Sequence, residues 1–365
     1  MAEQGSPQGQ LGGRLASMVG NDHLKAARHA AESARVPGEH MSRAELAERV
    51  NAWLLDNTGR SGALDRHYLG RLERGQVQRP GRDYRAAFRA VLQASDRDLG
   101  FALDPRTERL RRAAQHPRRA DTTALSQAAD MLSTVRRLED ETSASAVLPS
   151  VAAHAELVNH LADQSKHTAE AVGLASEISQ YLGWLKIARD EYGDAQAHLD
   201  RAARLALEAD DPQRLATALS FAAYRALLLG NYGQAANLNR AAMRDSRVDP
   251  GLRAYGHLQG AEIAAYDGDS HTATRMLTQA DRLIENAPDP QALPDGSYWH
   301  IPPVLNGHKG FVLHALGDTE QARQTARESL EAMPEAWTRA EWAADHRALA
   351  GWEGDAATQR IRELD

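Results

Sequence analysis

The feature that most constrains the fold is a short turn signature that recurs in the C-terminal two-thirds of the chain. It reads DEYGDA at 190–195, GNYGQA at 230–235, GDSHTA at 268–273 and GDTEQA at 317–322. The closing alanines are 40, 38 and 49 residues apart, and each copy follows one helical segment and opens another. The turn reverses the chain, and the small alanine lets the two helices approach closely. Because one helix pair cannot bury its own apolar face, the recurrence predicts a stack of helix pairs.

This pattern resembles tetratricopeptide (TPR) repeats, with a drifting period in place of their usual spacing of about 34 residues. The divergent solenoids of bacterial signalling regulators are the nearest resemblance. It implies a right-handed α-solenoid over residues 121–365, with four clear helix pairs and a degenerate one across 121–172. No alternating strand pattern interrupts the chain, so the predicted fold class is all-α. We also predict an insertion at 286–303, where five prolines prevent a continuous helix, and a capping helix from Ala336.

A second motif lies near the N-terminus, where SRAELA at 42–47 precedes YLGRLERG at 68–75. Ser42 is a typical N-cap with Glu45 as its capping-box partner, and Gly75 is the residue that usually stops a helix in the left-handed conformation. A short basic helix behind another short helix can enter the major groove of DNA. The second helix presents basic residues outward, namely Arg66, His67, Arg71 and Arg74.

These two segments resemble the Cro/CI-type (XRE) helix-turn-helix, whose members carry S-Q-x-x-L-A and a Y-I-S-x-I-E-R-G ending. The resemblance implies a transcriptional regulator that binds an operator as a homodimer, with half-sites about one helical turn apart. Glu73 matches a structural glutamate of the family. The chain departs from the family at 50–64, an insertion that we expect to lengthen the first helix and to form a loop at 58–62. The residues expected to contact DNA are Arg43, Asp65, Arg66, His67, Arg71, Arg74 and Arg82.

Charge is distributed unevenly along the chain. Residues 1–119 carry 21 Lys and Arg against 14 Asp and Glu, whereas residues 120–365 carry 22 against 36. This asymmetry is expected when only the first part of the chain binds a polyanion. Two soluble domains of different charge would show the same asymmetry. Helices are predicted at 22–34 and 82–94, on either side of the motif. The predicted organisation is a disordered N-terminus at 1–20, a five-helix helix-turn-helix domain at 21–103, a basic hinge at 104–120 and a repeat domain at 121–365.

Other classes of site find little support in the sequence. The chain has no cysteine, which excludes disulfides and thiolate metal sites. It lacks a signal peptide and any run of about eighteen apolar residues, so we expect a cytoplasmic protein. His154, His160 and His167 lack the i, i+4 spacing of a helical zinc site. Acidic pairs such as Glu139-Asp140 are expected at helix ends or on solvated faces. No nucleotide-binding loop or nucleophile motif is present, so neither an enzyme nor a cofactor is predicted.

The first helix of each pair should line a concave groove. By resemblance, a peptide or small signalling ligand bound there would alter operator binding, provided that it favours one arrangement of the dimer. Residues 298–300 could form a lid on this groove or fix the insertion to the opposite face. Three alternatives stay open: a groove that binds another protein, an adaptor with a degenerate DNA-binding motif, and an enzyme within the solenoid. The predicted groove residues are Tyr181, Lys186, Tyr224, Arg225, Tyr255, Gln259, Asn306 and Lys309.

Overall fold

The computed structural model describes residues 21–77, 79–101, 105–286 and 295–352. Within those ranges the regular structure is helical, and an isolated bridge joins Glu32 to His40. The all-α prediction is therefore confirmed for the part of the chain described, while the predicted disorder at 1–20 lies outside it. None of the described helices is long and apolar enough to cross a membrane. The chain divides into two compact units, Met1–Gln115 and His116–Asp365.

The first unit contains α1 (Asp22–Ala30), α2 (Arg43–Thr58), α3 (Arg66–Glu73), α4 (Arg82–Leu92) and α5 (Pro105–Gln115). Four of these helices lie in the predicted domain. The fifth, together with a 3-10 turn at 117–119, occupies the stretch that we predicted to be a hinge. The first and fourth helices are shorter than predicted, because Ala31 turns to an extended conformation and Gln93 adopts a positive φ of 50°.

The ends of α2 and α3 follow the local sequence signals. The hydroxyl of Ser42 accepts a hydrogen bond from the backbone N–H of Glu45 at 3.1 Å. The inserted residues extend α2 as expected, and Gly59 ends it at a φ of 66°. At the end of α3, Gly75 has a φ of 71°. The Gln76 N–H reaches back to the carbonyl of Arg71 at 2.9 Å, which completes a Schellman cap.

The second unit is a succession of helix pairs that pack in chain order, as expected for a solenoid. The four predicted pairs and the less regular first pair are all present. The pairs are α6 (Thr122–Glu141) with α7 (Ala144–Gln164), α8 (Thr168–Ile187) with α9 (Tyr192–Glu208), α10 (Pro212–Leu228) with α11 (Tyr232–Ala242), α12 (Pro250–Tyr266) with α13 (Ser270–Glu285), and α14 (Pro302–Ala315) with α15 (Thr319–Ala332).

The recurring turn signature has the geometry that its composition predicts. All four closing alanines are fully buried. Within one pair, a Cβ added at Gly183 would lie only 2.7 Å from Cγ of Leu199, so the two helices meet too closely for a larger residue. The residues that reverse the chain all have positive φ, a region open to glycine and, less readily, to aspartate. They are Asp190 (58°), Gly230 (69°), Gly268 (84°) and Gly317 (85°).

The C-terminal segment differs from the single capping helix that we predicted. It forms α16 (Glu335–Thr338), a 3-10 turn at 341–343 and α17 (Ala344–Ala350), because the backbone of Ala340 is extended. Helix α17 packs on the last helix pair, whereas α16 packs on α6, the first helix of this unit. The N–H of Ala144 donates to the Glu341 carboxylate at 2.7 Å. This segment therefore links the two ends of the repeat array.

The proline-rich insertion is shorter than predicted at its C-terminal end. Helix α13 ends at Glu285, and Pro302 and Pro303 are already the first residues of α14. Proline suits the start of a helix because the N–H that it lacks would have no partner there. Residues 287–294 lie outside the described part of the chain.

Candidate functional sites

A concave surface of the first unit gathers basic side chains from α1, α2, α3 and the residues just before α2. None of the residues that line it is acidic. Four of the seven predicted DNA-contact residues, Arg43, Arg66, His67 and Arg74, lie on it. We call it the basic surface, and its lining is Lys25, Arg28, His29, His40, Ser42, Arg43, Ala44, Arg66, His67, Gly70 and Arg74.

A buried carboxylate supports the basic surface from beneath. Oε1 of Glu73 accepts a hydrogen bond from Nε of Arg28 and Oε2 accepts one from Nε of Arg43, both at 2.7 Å. Burial alone would raise the pKa of Glu73, but the hydrogen bonds from the two arginines outweigh it and lower that pKa. Since two cations share one anion, this cluster keeps an excess positive charge. Glu73 thus fixes α1 and α2 to the end of α3.

The other three predicted DNA-contact residues occupy different positions. Asp65 is the N-cap of α3 and accepts a hydrogen bond from the N–H of Tyr68 at 2.7 Å, which lowers the pKa of its carboxyl. The guanidinium of Arg71 lies over the Tyr68 ring at 5.1 Å. Arg82 is exposed at the start of α4. None of these three lines the basic surface.

Sequence reasoning missed the contribution of α1 and the loop that follows it. Lys25 and His29 lie one turn apart on α1, and the His29 ring stacks on that of His40 at a centroid distance of 4.2 Å. Burial, followed by the nearby Arg28, lowers the pKa of His29. The i, i+4 spacing of Lys25 and His29 was a readable signal. Their position beside α3, however, depends on tertiary packing through Glu73.

A cavity of about 130 Å³ in the second unit is walled mainly by aromatic side chains. Three predicted groove residues, Tyr181, Tyr224 and Tyr255, are among them. We call it the aromatic cavity. Its lining is Arg136, Glu139, Asp140, Gln180, Tyr181, Trp184, Thr217, Phe221, Tyr224, Tyr255, Gly296, Tyr298, Trp299, Val304, His308, Trp337, Trp342, Asp345 and His346.

Two adjacent carboxylates in the last turn of α6 border this cavity, and each is held by one tyrosine and one tryptophan. Glu139 accepts hydrogen bonds from the Tyr181 hydroxyl at 2.7 Å and from Nε1 of Trp184 at 2.8 Å. Asp140 accepts them from the Tyr298 hydroxyl and from Nε1 of Trp342, both at 3.0 Å. The pair lies at a helix end, one of the two positions predicted for it, but it does not face solvent: both residues are 5% exposed.

Burial controls the ionisation of these groups. It raises the pKa of Glu139 to about 7 against the hydrogen bonds that favour its charged form, and it raises that of Asp140 as well. Burial and the neighbouring carboxylates also raise the pKa of Tyr181 and of Tyr298. Both hydroxyls therefore stay protonated at neutral pH and act as donors.

Arg136 is the one arginine in the lining of this cavity, and its charge is balanced. Its guanidinium donates to Glu177 at 2.6 Å and lies over the Tyr181 ring at 5.2 Å. Glu177 also accepts from Arg214, which pairs in turn with Asp211 at 2.5 Å. Two arginines and two carboxylates give this network no net charge, so it has no spare positive charge for Glu139 and Asp140.

The remaining predicted groove residues do not line the cavity. Lys186 pairs with Glu191 at the turn after α8, Arg225 donates to the carbonyl of Tyr192 at 2.6 Å, and Lys309 pairs with Asp281 at 2.8 Å. Gln259 is buried between helices, where it donates to the carbonyl of Ser220 at 2.9 Å. These interactions join neighbouring helices or pairs. Asn306 is half-buried in α14.

The residues at 298–300 face the interior of the second unit. The Trp299 ring meets that of Tyr255 edge-on at 5.0 Å, and the Tyr298 hydroxyl contacts Asp140 as described. His300 is buried beside Trp299 at a centroid distance of 3.9 Å. Of the two alternatives for this segment, the position beside the cavity agrees with the structure.

No protein-family model matches the chain, and comparisons with curated proteins and with solved structures give no match either. Among the residues described, no group of three His, Asp or Glu side chains could hold a metal ion. The two features that could bind a ligand are therefore the basic surface and the aromatic cavity.

Proposed function

We propose that the protein is a DNA-binding transcriptional regulator whose first unit binds duplex DNA and whose second unit binds an effector in the aromatic cavity. The observation that carries this proposal is the basic surface, which has no acidic residue in its lining. Such a surface attracts phosphates, because its lining carries no negative charge and Arg28 and Arg43 outweigh the buried Glu73 beneath it. Phosphate contacts supply a large share of protein–DNA affinity.

The placement of α3 supports base reading at one end of this surface. Arg66 and His67 are exposed in the first turn of α3, and the N-terminal residues of a recognition helix are those that reach base edges. Arg66, Gly70 and Arg74 share one helix face by their spacing. We expect Arg66 to form bidentate hydrogen bonds with guanine, while Lys25 and Arg74 contact phosphates. Binding as a homodimer stays part of this proposal.

Fluorescence anisotropy with a labelled duplex at several salt concentrations tests the proposal. The double variant Arg66→Ala, Arg74→Ala should bind more weakly, and the slope of log affinity against log salt should fall by roughly one unit for each phosphate that the variant no longer neutralises. The double variant Arg60→Ala, Arg97→Ala is the matched control, because both are exposed arginines of the same unit outside the basic surface. An equal loss of affinity in both proteins would contradict the proposal, and absence of DNA binding would favour a protein-binding adaptor.

A further inference from the structure

We propose that the aromatic cavity binds a small organic cation, whose ammonium group lies against Glu139 and Asp140 and is enclosed by the surrounding rings. This inference rests on the proposed function only where it names that cation as the effector. Binding itself requires the second unit alone and can be measured without DNA.

The walls have the composition of a cation-binding aromatic cage. Nine Tyr, Trp and Phe side chains line the cavity, and the faces of such rings attract ammonium groups, most strongly where water is excluded. The rings support one another edge-on: Trp184 meets Phe221 at 5.8 Å, Phe221 meets Trp299 at 6.3 Å and Trp337 meets Trp342 at 5.9 Å. Rings fixed in this way lose little freedom on binding, which favours affinity.

The electrostatics select a positive charge. Glu139 and Asp140 lie in the last turn of α6. That turn contains no basic residue, and the C-terminus of a helix adds partial negative charge of its own. Asp345 also lines the cavity. Arg136 offers little opposition, because its charge is balanced in the network with Glu177. A bound cation would stabilise the ionised forms of these two buried carboxyl groups.

Hydrogen bonding disfavours an anion in the same place. The hydroxyls of Tyr181 and Tyr298 and the indole N–H groups of Trp184 and Trp342 already donate to the two carboxylates. An anionic ligand would therefore have to displace these bonds and approach buried negative charge.

Size separates a small molecule from an extended peptide. The cavity measures about 130 Å³, near the roughly 150 Å³ of an engineered protein cavity that holds one benzene molecule. This volume suits a trimethylammonium group with a short tail, and it is too small for several residues of a peptide in extended conformation. We therefore assign the site to a small amine or quaternary ammonium compound.

The experiment compares choline with 3,3-dimethylbutan-1-ol. This neutral alcohol has the same shape as choline, with a carbon atom in place of the quaternary nitrogen. Isothermal titration calorimetry on the full chain should show choline binding roughly tenfold or more tightly than the alcohol, the margin expected of a desolvated cation–π site. Equal affinities would overturn the proposal, as would the absence of choline binding to a folded protein.

Variants then locate the charge. Glu139→Gln should weaken choline binding by roughly tenfold or more and leave the alcohol unaffected. Glu141→Gln, the same change at an exposed residue two positions along α6, should leave both affinities unchanged. Unaltered choline selectivity in folded Glu139→Gln would refute the assignment.

The two proposals fail separately. If choline binds but no duplex does, the cation site stands and the regulator is refuted. If duplex binding is specific and choline does not bind, the regulator stands and the cation site is refuted. Circular dichroism of each variant confirms that it is folded before either conclusion is drawn.

Discussion

Replacing Glu139 by glutamine should stabilise the second unit at alkaline pH, although it removes a buried carboxylate that accepts two hydrogen bonds. The carboxyl is 5% exposed, and burial raises its pKa from the ordinary 4.5 to about 7. The folded state therefore holds a proton that the unfolded chain has already released between these two pH values. Stability linked to Glu139 is fully present below pH 4.5, is lost as pH rises to about 7, and stays low above that.

The magnitude follows from the size of the shift. At about 1.4 kcal/mol for each pKa unit, a rise from 4.5 to about 7 corresponds to roughly 3 kcal/mol of stability lost at alkaline pH. Glutamine has the same shape and never ionises, so it escapes this penalty. Its amide can still accept one of the two hydrogen bonds and donate to the Tyr181 oxygen.

The assay is urea unfolding followed by tryptophan fluorescence, at several pH values between about 5 and 8.5. Five of the six tryptophans belong to the second unit, so the signal reports mainly on it. Glu139→Gln should gain up to about 3 kcal/mol over the original chain at the alkaline end and little near pH 5. Glu141→Gln should leave the free energy of unfolding unchanged at both ends of this pH range. A loss of stability at alkaline pH, or a gain independent of pH, would refute this reasoning.

Three further predictions concern pH, the basic surface and the turns. Choline carries a fixed charge, so its affinity in calorimetry should rise up to about tenfold between about pH 6 and pH 8 as Glu139 ionises; a flat profile would contradict this. Glu73→Gln leaves buried arginine charge unpaired and should lower the free energy of unfolding of the first unit, measured with urea, by about 3–5 kcal/mol. Glu48→Gln breaks an exposed ion pair and should lower it by less than about 1 kcal/mol. Gly230→Ala should cost about 1 kcal/mol because φ is positive there. Gly233→Ala, within helix α11 and with open space for a Cβ, should instead stabilise by about 0.5–1 kcal/mol; equal effects in thermal melts would refute the role of the turn.

Local signals in the sequence were sufficient for the helix pairs and for many helix ends. The turn at Gly230 and the cap at Ser42 depend on residues within a few positions, so their geometry could be read directly from the sequence. The same is true of the inserted residues that lengthen α2. Where predicted helices were too long, as at Ala31 and Gln93, the local backbone conformation ended them without a strong signal such as proline or glycine.

The composition of the aromatic cavity could not be read in this way. The partners of Asp140 are Tyr298 and Trp342, which are 158 and 202 residues away in the chain. No local period relates such positions, so the helix end could be predicted for this acidic pair but not the rings that bury it. The groove residues were predicted only from the helix that each one occupies. Gln259 shows the consequence, since its face packs against a neighbouring helix instead of the cavity.

Selection from a random duplex pool tests most directly whether the basic surface reads operator DNA. The full chain should enrich a two-fold symmetric motif with half-sites about one helical turn apart. The Arg66→Ala, Arg74→Ala variant should lose this enrichment, and the Arg60→Ala, Arg97→Ala variant should keep it. A pool that stays unenriched with the full chain, or a motif that the double variant selects equally well, would contradict the claim.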